Sequence, residues 1–120
     1  MTLTQLGYSQ DYYYKNNTRI TLEKVHIQSG IGTQNIEYYK NENGTLLGVI
    51  DKVIAKTADI KLLKNYAREL NITIEKKLAE NLYLLKTKGA AETLSAANVL
   101  SKKEGLEYAH PDFIKKRMSR

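Results

Sequence analysis

The spacing of apolar positions along the chain changes near residue 51. Before it, short aromatic or β-branched runs are separated by Asn and Gly, which is typical of β-hairpins. The runs and the turns between them are Tyr12–Tyr14, Lys15-Asn16-Asn17 and Arg19–Leu22, then Asn35–Lys40, Asn43-Gly44 and Leu46–Ile50. A further strand is predicted at Val25–Gln28. The first 50 residues therefore predict two hairpins and one additional strand.

From Asp51 onward the pattern is more regular and predicts alternating strands and helices. Lys52–Thr57 predicts a strand, and Asp59 is a suitable N-cap for a helix that Asn71 ends. The later predicted elements are strands at Ile72–Leu78 and Leu82–Lys88, a helix opened by Gly89 with an apolar stripe at Leu94, Ala97 and Leu100, and a last strand at Leu106–Ala109. Pro111 is expected to interrupt that last strand.

The predicted order over residues 51–115 is β-α-β-β-α-β. In that order, two helices can cover one face of a four-stranded antiparallel sheet, the split βαβ or ferredoxin-like arrangement. We therefore expect an α+β fold of this type, preceded by the N-terminal β-hairpins. The predicted organisation is a hairpin extension over 1–50, an α+β domain over 51–114 and a basic tail over 115–120. The uncovered face of the sheet is the expected binding surface.

The composition is that of one globular domain, with 120 residues, 42% hydrophobic and 27% charged. The absence of Cys excludes a disulfide scaffold, a thiolate zinc site and a cysteine nucleophile. No apolar run approaches the roughly 18 residues of a membrane helix, so no membrane partner is expected. Met1–Tyr14 lacks the basic start and apolar stretch of a signal peptide. If the full-length protein is exported, the signal is expected to lie outside this sequence.

The net charge of +6 is concentrated at one end of the chain. Lys115, Lys116, Arg117 and Arg120 lie within the last six residues, whereas residues 1–114 carry 15 Lys and Arg against 13 Asp and Glu. A basic protein of this size suggests a nucleic-acid partner, but such a surface needs cations interleaved with exposed aromatic rings. The candidates are Tyr83 with Lys77, Lys86 and Lys88 near it, and the Tyr12–Tyr14 run. A small basic nucleic-acid-binding domain is therefore the alternative hypothesis, although nucleic acid is the less favoured partner.

Residue patterns that support catalysis are missing. His26 and His110 belong to no spaced metal or acid–base motif, and Gly30-Ile31-Gly32 lacks the third glycine of a phosphate loop. No pair of carboxylates stands out, because Glu104 and Glu107 are better explained as solvated charges. We expect a non-enzymatic protein with no metal and no cofactor.

The most distinctive pattern lies at the end of the chain. A helix with small residues and Asn, Thr93–Leu100, leads to Leu106-Glu107-Tyr108-Ala109-His110-Pro111-Asp112-Phe113. This segment resembles the end of the N-terminal propeptides of subtilisin-like serine proteases, where an apolar-Glu-Tyr-Ala-x-Pro-Asp/Asn-Phe strand precedes the processing site. The string Asn81–Leu85 is also similar to a strand of these propeptides. Motif agreement covers about residues 70–114, and the predicted element order extends it to about residue 51.

The resemblance implies a role and a partner. Such a propeptide is an intramolecular folding chaperone and a temporary active-site inhibitor of its own protease, made in a zymogen that is secreted or placed in the cell envelope. The cognate catalytic domain would be the partner, and its Asp-Ser/Thr-Gly, His-Gly-Thr-His and Gly-Thr-Ser-Met motifs are absent from this chain. A stand-alone inhibitor acting on a separate protease is a further possibility.

The resemblance also implies which residues contact the protease. In the family, the sheet packs on the enzyme and an extended tail occupies its cleft, where backbone hydrogen bonds give affinity. An acidic residue in the central turn faces helix N-termini of the protease, where a carboxylate is favoured. Here that position is Glu80, or Asn81 as a neutral substitute. The remaining implied contacts are Tyr108, His110, Pro111 and Phe113 in the last strand, and Arg117, Met118, Ser119 and Arg120 in the tail.

Overall fold

The computed structural model describes residues 11–25 and 36–115 and has an α+β fold. The strands are β1 Tyr12–Lys15, β2 Thr18–Thr21, β3 Glu23–Val25, β4 Glu37–Lys40, β5 Leu46–Val49, β6 Lys52–Lys56, β7 Thr73–Ala79, β8 Leu82–Lys86, β9 Tyr108–Pro111 and β10 Ile114–Lys115. The helices are α1 Ile60–Leu70 and α2 Ala90–Ser101. Within the described ranges, neither helix has the length and apolar character needed to cross a membrane.

Both predicted N-terminal hairpins form. β1 and β2 pair around Asn16 and Asn17, whose φ angles of 49° and 71° are those of the tight turns that suit the twist of a hairpin. β4 and β5 pair around a turn that the Asn41 side chain closes, because its Oδ1 accepts the Asn43 and Thr45 N–H groups at 2.9 Å each. The additional strand is β3, which ends at Val25; the rest of the predicted Val25–Gln28 strand lies outside the described residues, as does His26.

Two sheets carry most of the fold. The main sheet has the order β7-β8-β6-β9, and the second sheet has the order β10-β5-β4-β3, with antiparallel pairing throughout both. Both helices pack on the side of the main sheet that we call the covered face, which carries Val53, Ala55, Leu85 and Ala109. Their buried partners are Leu63 and Ala67 from α1 and Ala97 and Leu100 from α2. These eight residues form the first core cluster.

The caps of α1 are those that the sequence predicts. The Asp59 carboxylate accepts the Leu62 N–H at 3.1 Å, which satisfies one of the unpaired donors of the first turn. Asn71 has a left-handed φ of 62°, and its N–H bonds to carbonyls of the last turn. A side-chain cap at one end and a left-handed residue at the other therefore fix the length of this helix.

Helix α2 is buried on more sides than its predicted stripe indicates. Leu94, Ala97 and Leu100 are buried as expected, and Thr93 is fully buried as well. The Thr93 hydroxyl lies 2.7 Å from the Ile50 carbonyl, to which it donates, and 3.0 Å from the Thr87 hydroxyl. Because Ile50 follows β5, this bond holds α2 at the junction between the two sheets.

The expectation that Pro111 interrupts the last strand is wrong. β9 includes Pro111 opposite Val53, and the chain continues into β10. The Asp112 N–H donates to the Lys52 carbonyl at 3.0 Å, so hydrogen-bonded positions alternate along β9 and the Pro111 nitrogen points away from β6. β9 is also an edge strand of the main sheet, where a proline costs no ladder hydrogen bond.

Gly105, in the loop between α2 and β9, should resist substitution. Its φ is +90°, its carbonyl accepts the hydroxyl of the buried Thr57 at 2.7 Å, and an added Cβ would meet the end of the Leu62 side chain. We expect Gly105→Ala to lower the free energy of unfolding by about 1–3 kcal/mol. Urea unfolding measures this, with Gly89→Ala as the control because a Cβ at Gly89 meets nothing within 4 Å and φ is 173°. Equal stability of the two variants would contradict the expectation.

Candidate functional site

The side of the main sheet opposite the helices is a mixed apolar and basic surface. Alternation along β6 points Ile54 away from the first core cluster, and its cross-strand neighbours are Leu84 on β8 and His110 on β9. The same alternation places Leu82 and Tyr108 on this side. No described helix packs on it, since both helices lie on the covered face. We call this side the open face.

Two rings of β9 stack on the open face. Tyr108 and His110 are two residues apart on the strand, so their side chains point the same way. Their ring centroids are 5.4 Å apart and the ring planes differ by 15°. The His110 Nδ1 lies 3.0 Å from the Pro111 carbonyl oxygen. Both residues are half-buried, so they present an ordered flat surface next to Ile54.

Three lysines around the open face have carboxylate neighbours within the chain. Lys52 and Glu75 are 2.7 Å apart, and the hydrogen bond from this ammonium to Glu75 raises the pKa of Lys52. The corresponding distances are 3.4 Å for Lys86 and Asp51 and 3.8 Å for Lys56 and Glu107. Exposed pairs of this kind contribute little to stability, but they neutralise the rim of the surface.

The last strand passes from the main sheet to the second sheet. β9 pairs with β6, and β10 then pairs with β5 through Ile114–Gly48 and Lys115–Leu47. Between them, Phe113 points inward and its ring lies 4.8 Å from that of Tyr13, edge to face. This pair packs on the second core cluster, which consists of Leu22, Tyr39, Leu47, Val49 and Leu94.

The open face extends onto the second sheet. Since Phe113 points inward, Ile114 points outward, and it is 40% exposed. Its cross-strand neighbours on that side are Gly48 and Tyr38. Ile54 on the main sheet and Ile114 on the second therefore face the same side, with Lys52 and Asp112 between them.

The structure separates two of the predicted contact regions. Glu80 is exposed at the β7–β8 turn, next to Asn81, whose φ is 61° and whose carbonyl accepts the Thr57 N–H at 2.9 Å. This turn lies beside the first residue of β9, because Leu82 and Tyr108 both pair with Lys56. Six residues further on, Ile114 is roughly 20 Å away along the strand direction. The last described residues, in β10, therefore lie toward the end of the fold opposite Glu80.

The other predicted site residues take different positions. Pro111 is buried against the covered face, and Phe113 is half-buried on the second core cluster, so neither presents its ring on the open face. Arg117, Met118, Ser119 and Arg120 lie outside the described residues. Reasoning from sequence missed Ile54 and Tyr38, although the Lys52-Val53-Ile54-Ala55-Lys56 run carries apolar residues on both sides of a strand and could have indicated a second contact surface.

The suggestion that Tyr83 belongs to a nucleic-acid surface is wrong. Tyr83 pairs with Ala55 and packs against the first core cluster, so its ring faces the helices. The sequence shows that Tyr83 is on a strand but does not show which side it faces. β7 adds to the ambiguity, since irregularities at Ile74/Lys76 and Lys77/Ala79 change its alternation twice and leave Leu78 41% exposed.

An aromatic and basic cluster lies near α2, on the covered side of the fold. Tyr12 and Tyr14 meet edge to face at 5.6 Å between centroids. The Arg19 guanidinium lies 4.2 Å from the centre of the Tyr12 ring, and the Lys102 ammonium lies 4.7 Å from that of Tyr14. A cavity of about 370 Å³ opens between these rings and α2.

The described part of the chain shows no metal-binding group. Across residues 11–25 and 36–115, no three His, Asp or Glu residues lie together in a way that could hold a metal ion. Comparison with known proteins found no matching family model, no matching curated protein and no matching solved structure. The candidate site therefore depends on the geometry of this chain alone.

The second core cluster should become less stable at alkaline pH. Burial raises the pKa of Tyr39 and of Tyr13 above the ordinary tyrosine value of about 10. A tyrosine whose pKa is higher in the folded than in the unfolded state stabilises the fold while its phenol is neutral. This stabilisation is complete below the unfolded-state pKa and is lost as the pH rises through the folded-state pKa. We expect Tyr39→Phe to show a smaller loss of stability than wild type in urea unfolding between about pH 9 and 11.5. An identical pH dependence in the two proteins would contradict this.

Proposed function

We propose that this chain is the propeptide of a subtilisin-like serine protease, acting as an intramolecular chaperone and a temporary inhibitor. The observation that carries the proposal is the open face, which has the segment resembling the propeptide terminus, Leu106–Phe113, running along it. Tyr108 and His110 of that segment supply part of the surface, and the chain leaves its end at Lys115. One continuous segment thus links the docking surface to the inhibitory tail.

The arrangement of the main sheet supports the proposal. The elements follow the order β6-α1-β7-β8-α2-β9, and the strands lie in the order β9-β6-β8-β7 with both helices on one face. This order supports the proposal that the α+β fold is the ferredoxin-like, split βαβ arrangement expected for the family. The topology by itself is shared by proteins of many functions, so the proposal depends on the open face and the terminal segment together.

In the proposed complex, the open face packs on the protease and the tail lies in its cleft. Apolar groups at Ile54 and Ile114 supply the desolvated centre of the interface, and the paired lysines form its rim. Glu80 places a carboxylate at one end, where helix N-termini of the protease would favour it. Residues 116–120 occupy the substrate-binding cleft as a cleavage product, adding a strand to the enzyme.

Inhibition of the catalytic domain encoded by the same gene tests the proposal. The folded chain should inhibit hydrolysis of a peptide substrate with a stoichiometric end point. Deleting residues 116–120 leaves β10 intact and should raise the inhibition constant by about tenfold or more, because the cleft contacts are lost. Absence of inhibition by a folded wild-type chain, or absence of a subtilisin-like catalytic domain from the gene, would contradict the proposal.

A matched pair of surface variants tests the open face in the same assay. Ile54→Thr keeps a β-branched side chain on the open face but makes it polar, and Val99→Thr makes the same kind of change on the exposed side of α2, where Val99 is 38% exposed. We expect the first to raise the inhibition constant by about tenfold and the second to leave it unchanged. If both variants change the inhibition constant equally, the open face is not part of the interface.

A nucleic-acid-binding role is the second candidate, favoured by the cluster of Tyr12, Tyr14, Arg19 and Lys102. Tyrosine rings stack on bases, and cations beside them contact phosphates. If this role is correct, affinity for a single-stranded oligonucleotide falls as salt rises, and Arg19→Gln with Lys102→Gln reduces the slope of log affinity against log salt by about 1.4. Lys52→Gln, on the other face, is the control. No salt-dependent binding would contradict this role.

A further inference from the structure

We propose that the second sheet is a clamp, built by the first 50 residues, that fixes the path on which the C-terminal segment leaves the fold. The clamp consists of β4, β5 and the Tyr13 ring, and it holds residues 113–115. This inference rests on the proposed function for its consequence, since a tail with a fixed exit is pre-organised for a protease cleft. The contacts that define the clamp stand independently of that function.

The first part of the clamp is the anchor for Phe113. The main sheet holds the last strand only as far as Asp112, whose N–H bonds to the Lys52 carbonyl. The next residue, Phe113, turns its ring onto Tyr13 at 4.8 Å and onto the second core cluster. Apart from Leu94 of α2, every other member of that cluster, and Tyr13 itself, comes from the first 50 residues. The N-terminal extension therefore supplies most of the pocket for the last aromatic residue of the terminal motif.

The second part is the pairing of β10 with β5. Two residues of the outgoing chain pair there, Ile114 with Gly48 and Lys115 with Leu47. Two residues make a weak strand by themselves, since a short pairing does not offset the entropy of ordering them. The Phe113 anchor removes much of that cost, because it already fixes the chain next to β5. Anchor and pairing thus act as one unit.

Gly48 leaves little space for a side chain next to β10. A Cβ at this residue would lie 3.0 Å from Ile36 Cγ2 and 3.3 Å from both the Ile114 carbonyl oxygen and Tyr38 Cε1. Its φ lies outside the left-handed region, so the backbone does not require glycine there. Glycine inside a strand costs stability, and it is used where another backbone approaches closely. Here the approaching groups are the β10 backbone at Ile114 and the side chains of Ile36 and Tyr38.

Filling this space should release the outgoing chain. Gly48→Val brings its side chain against the Ile114 carbonyl and the Ile36 and Tyr38 side chains, on the open side of the second sheet and away from the second core cluster. We expect amide hydrogen exchange in β10 to become about tenfold faster, the scale of a typical overpacking penalty. Gly89→Ala is the matched control, because its Cβ meets nothing within 4 Å, and it should leave exchange unchanged. Should the valine variant fail to fold, Gly48→Ala, with a single methyl against the same atoms, takes its place.

The same variants separate the clamp from the proposed function. With the catalytic domain encoded by the same gene, Gly48→Val should raise the inhibition constant by about tenfold, whereas Gly89→Ala should not. Unchanged exchange in β10 of the Gly48 variant overturns the clamp whatever the protease does. Faster exchange with an unchanged inhibition constant overturns its role in presenting the tail. If wild type does not inhibit at all, the proposed function fails and its consequence for the tail fails with it, while the exchange measurement still decides whether the clamp exists.

Discussion

The antiparallel pairing of the last strand with two successive strands of the chain is the constraint on which the rest of this fold depends. β9 pairs with β6 in the main sheet, and after Asp112 and Phe113 the chain pairs with β5 as β10 in the second sheet. Only Ile50 and Asp51 separate β5 from β6. The two sheets therefore meet where β5–β6 and β9–β10 run side by side, a ribbon with one inward and one outward side in both sheets. Every second residue of this segment points inward. These residues are Ala109 in the first core cluster, then Pro111, then Phe113 against the second core cluster.

This shared ribbon explains how one helix serves both halves. α2 buries Ala97 and Leu100 in the first core cluster and Leu94 in the second, and Thr93 bonds to the carbonyl of Ile50 at the junction. The described helices thus cover the inward side, so the outward side is left with a half-polar surface of Ile54, His110 and Ile114. On this side Lys52, Lys56 and Lys86 are paired with carboxylates.

Local chemistry explains which predictions were correct. Asn16 and Asn17 adopt the positive φ angles of a tight hairpin, and Asn71 adopts a positive φ at the end of α1. Asp59 accepts a backbone N–H of the first turn of α1. Each of these effects involves only residues that are close in the sequence. Two predictions depended on a distant neighbour that the sequence does not show. Pro111 was expected to interrupt the last strand, but it pairs with Val53 as the last residue of β9 and its nitrogen points away from β6. Tyr83 was a candidate for an exposed nucleic-acid surface, but the register with Ala55 turns it toward the helices.

The sequence by itself determined the α+β class, most turns and caps, and the terminal segment from Leu106 to Phe113 that suggests a propeptide. It also showed that the basic charge lies mostly in the last six residues and not over the domain. Only the tertiary structure decided that the N-terminal hairpins and the C-terminal segment meet, that Gly48 lies against β10, and that Ile54 and Ile114 face the same side. The reason is physical: caps and turns are satisfied within a few residues, whereas strand register and the side a residue faces are fixed by pairing between segments as far apart as residues 48 and 114.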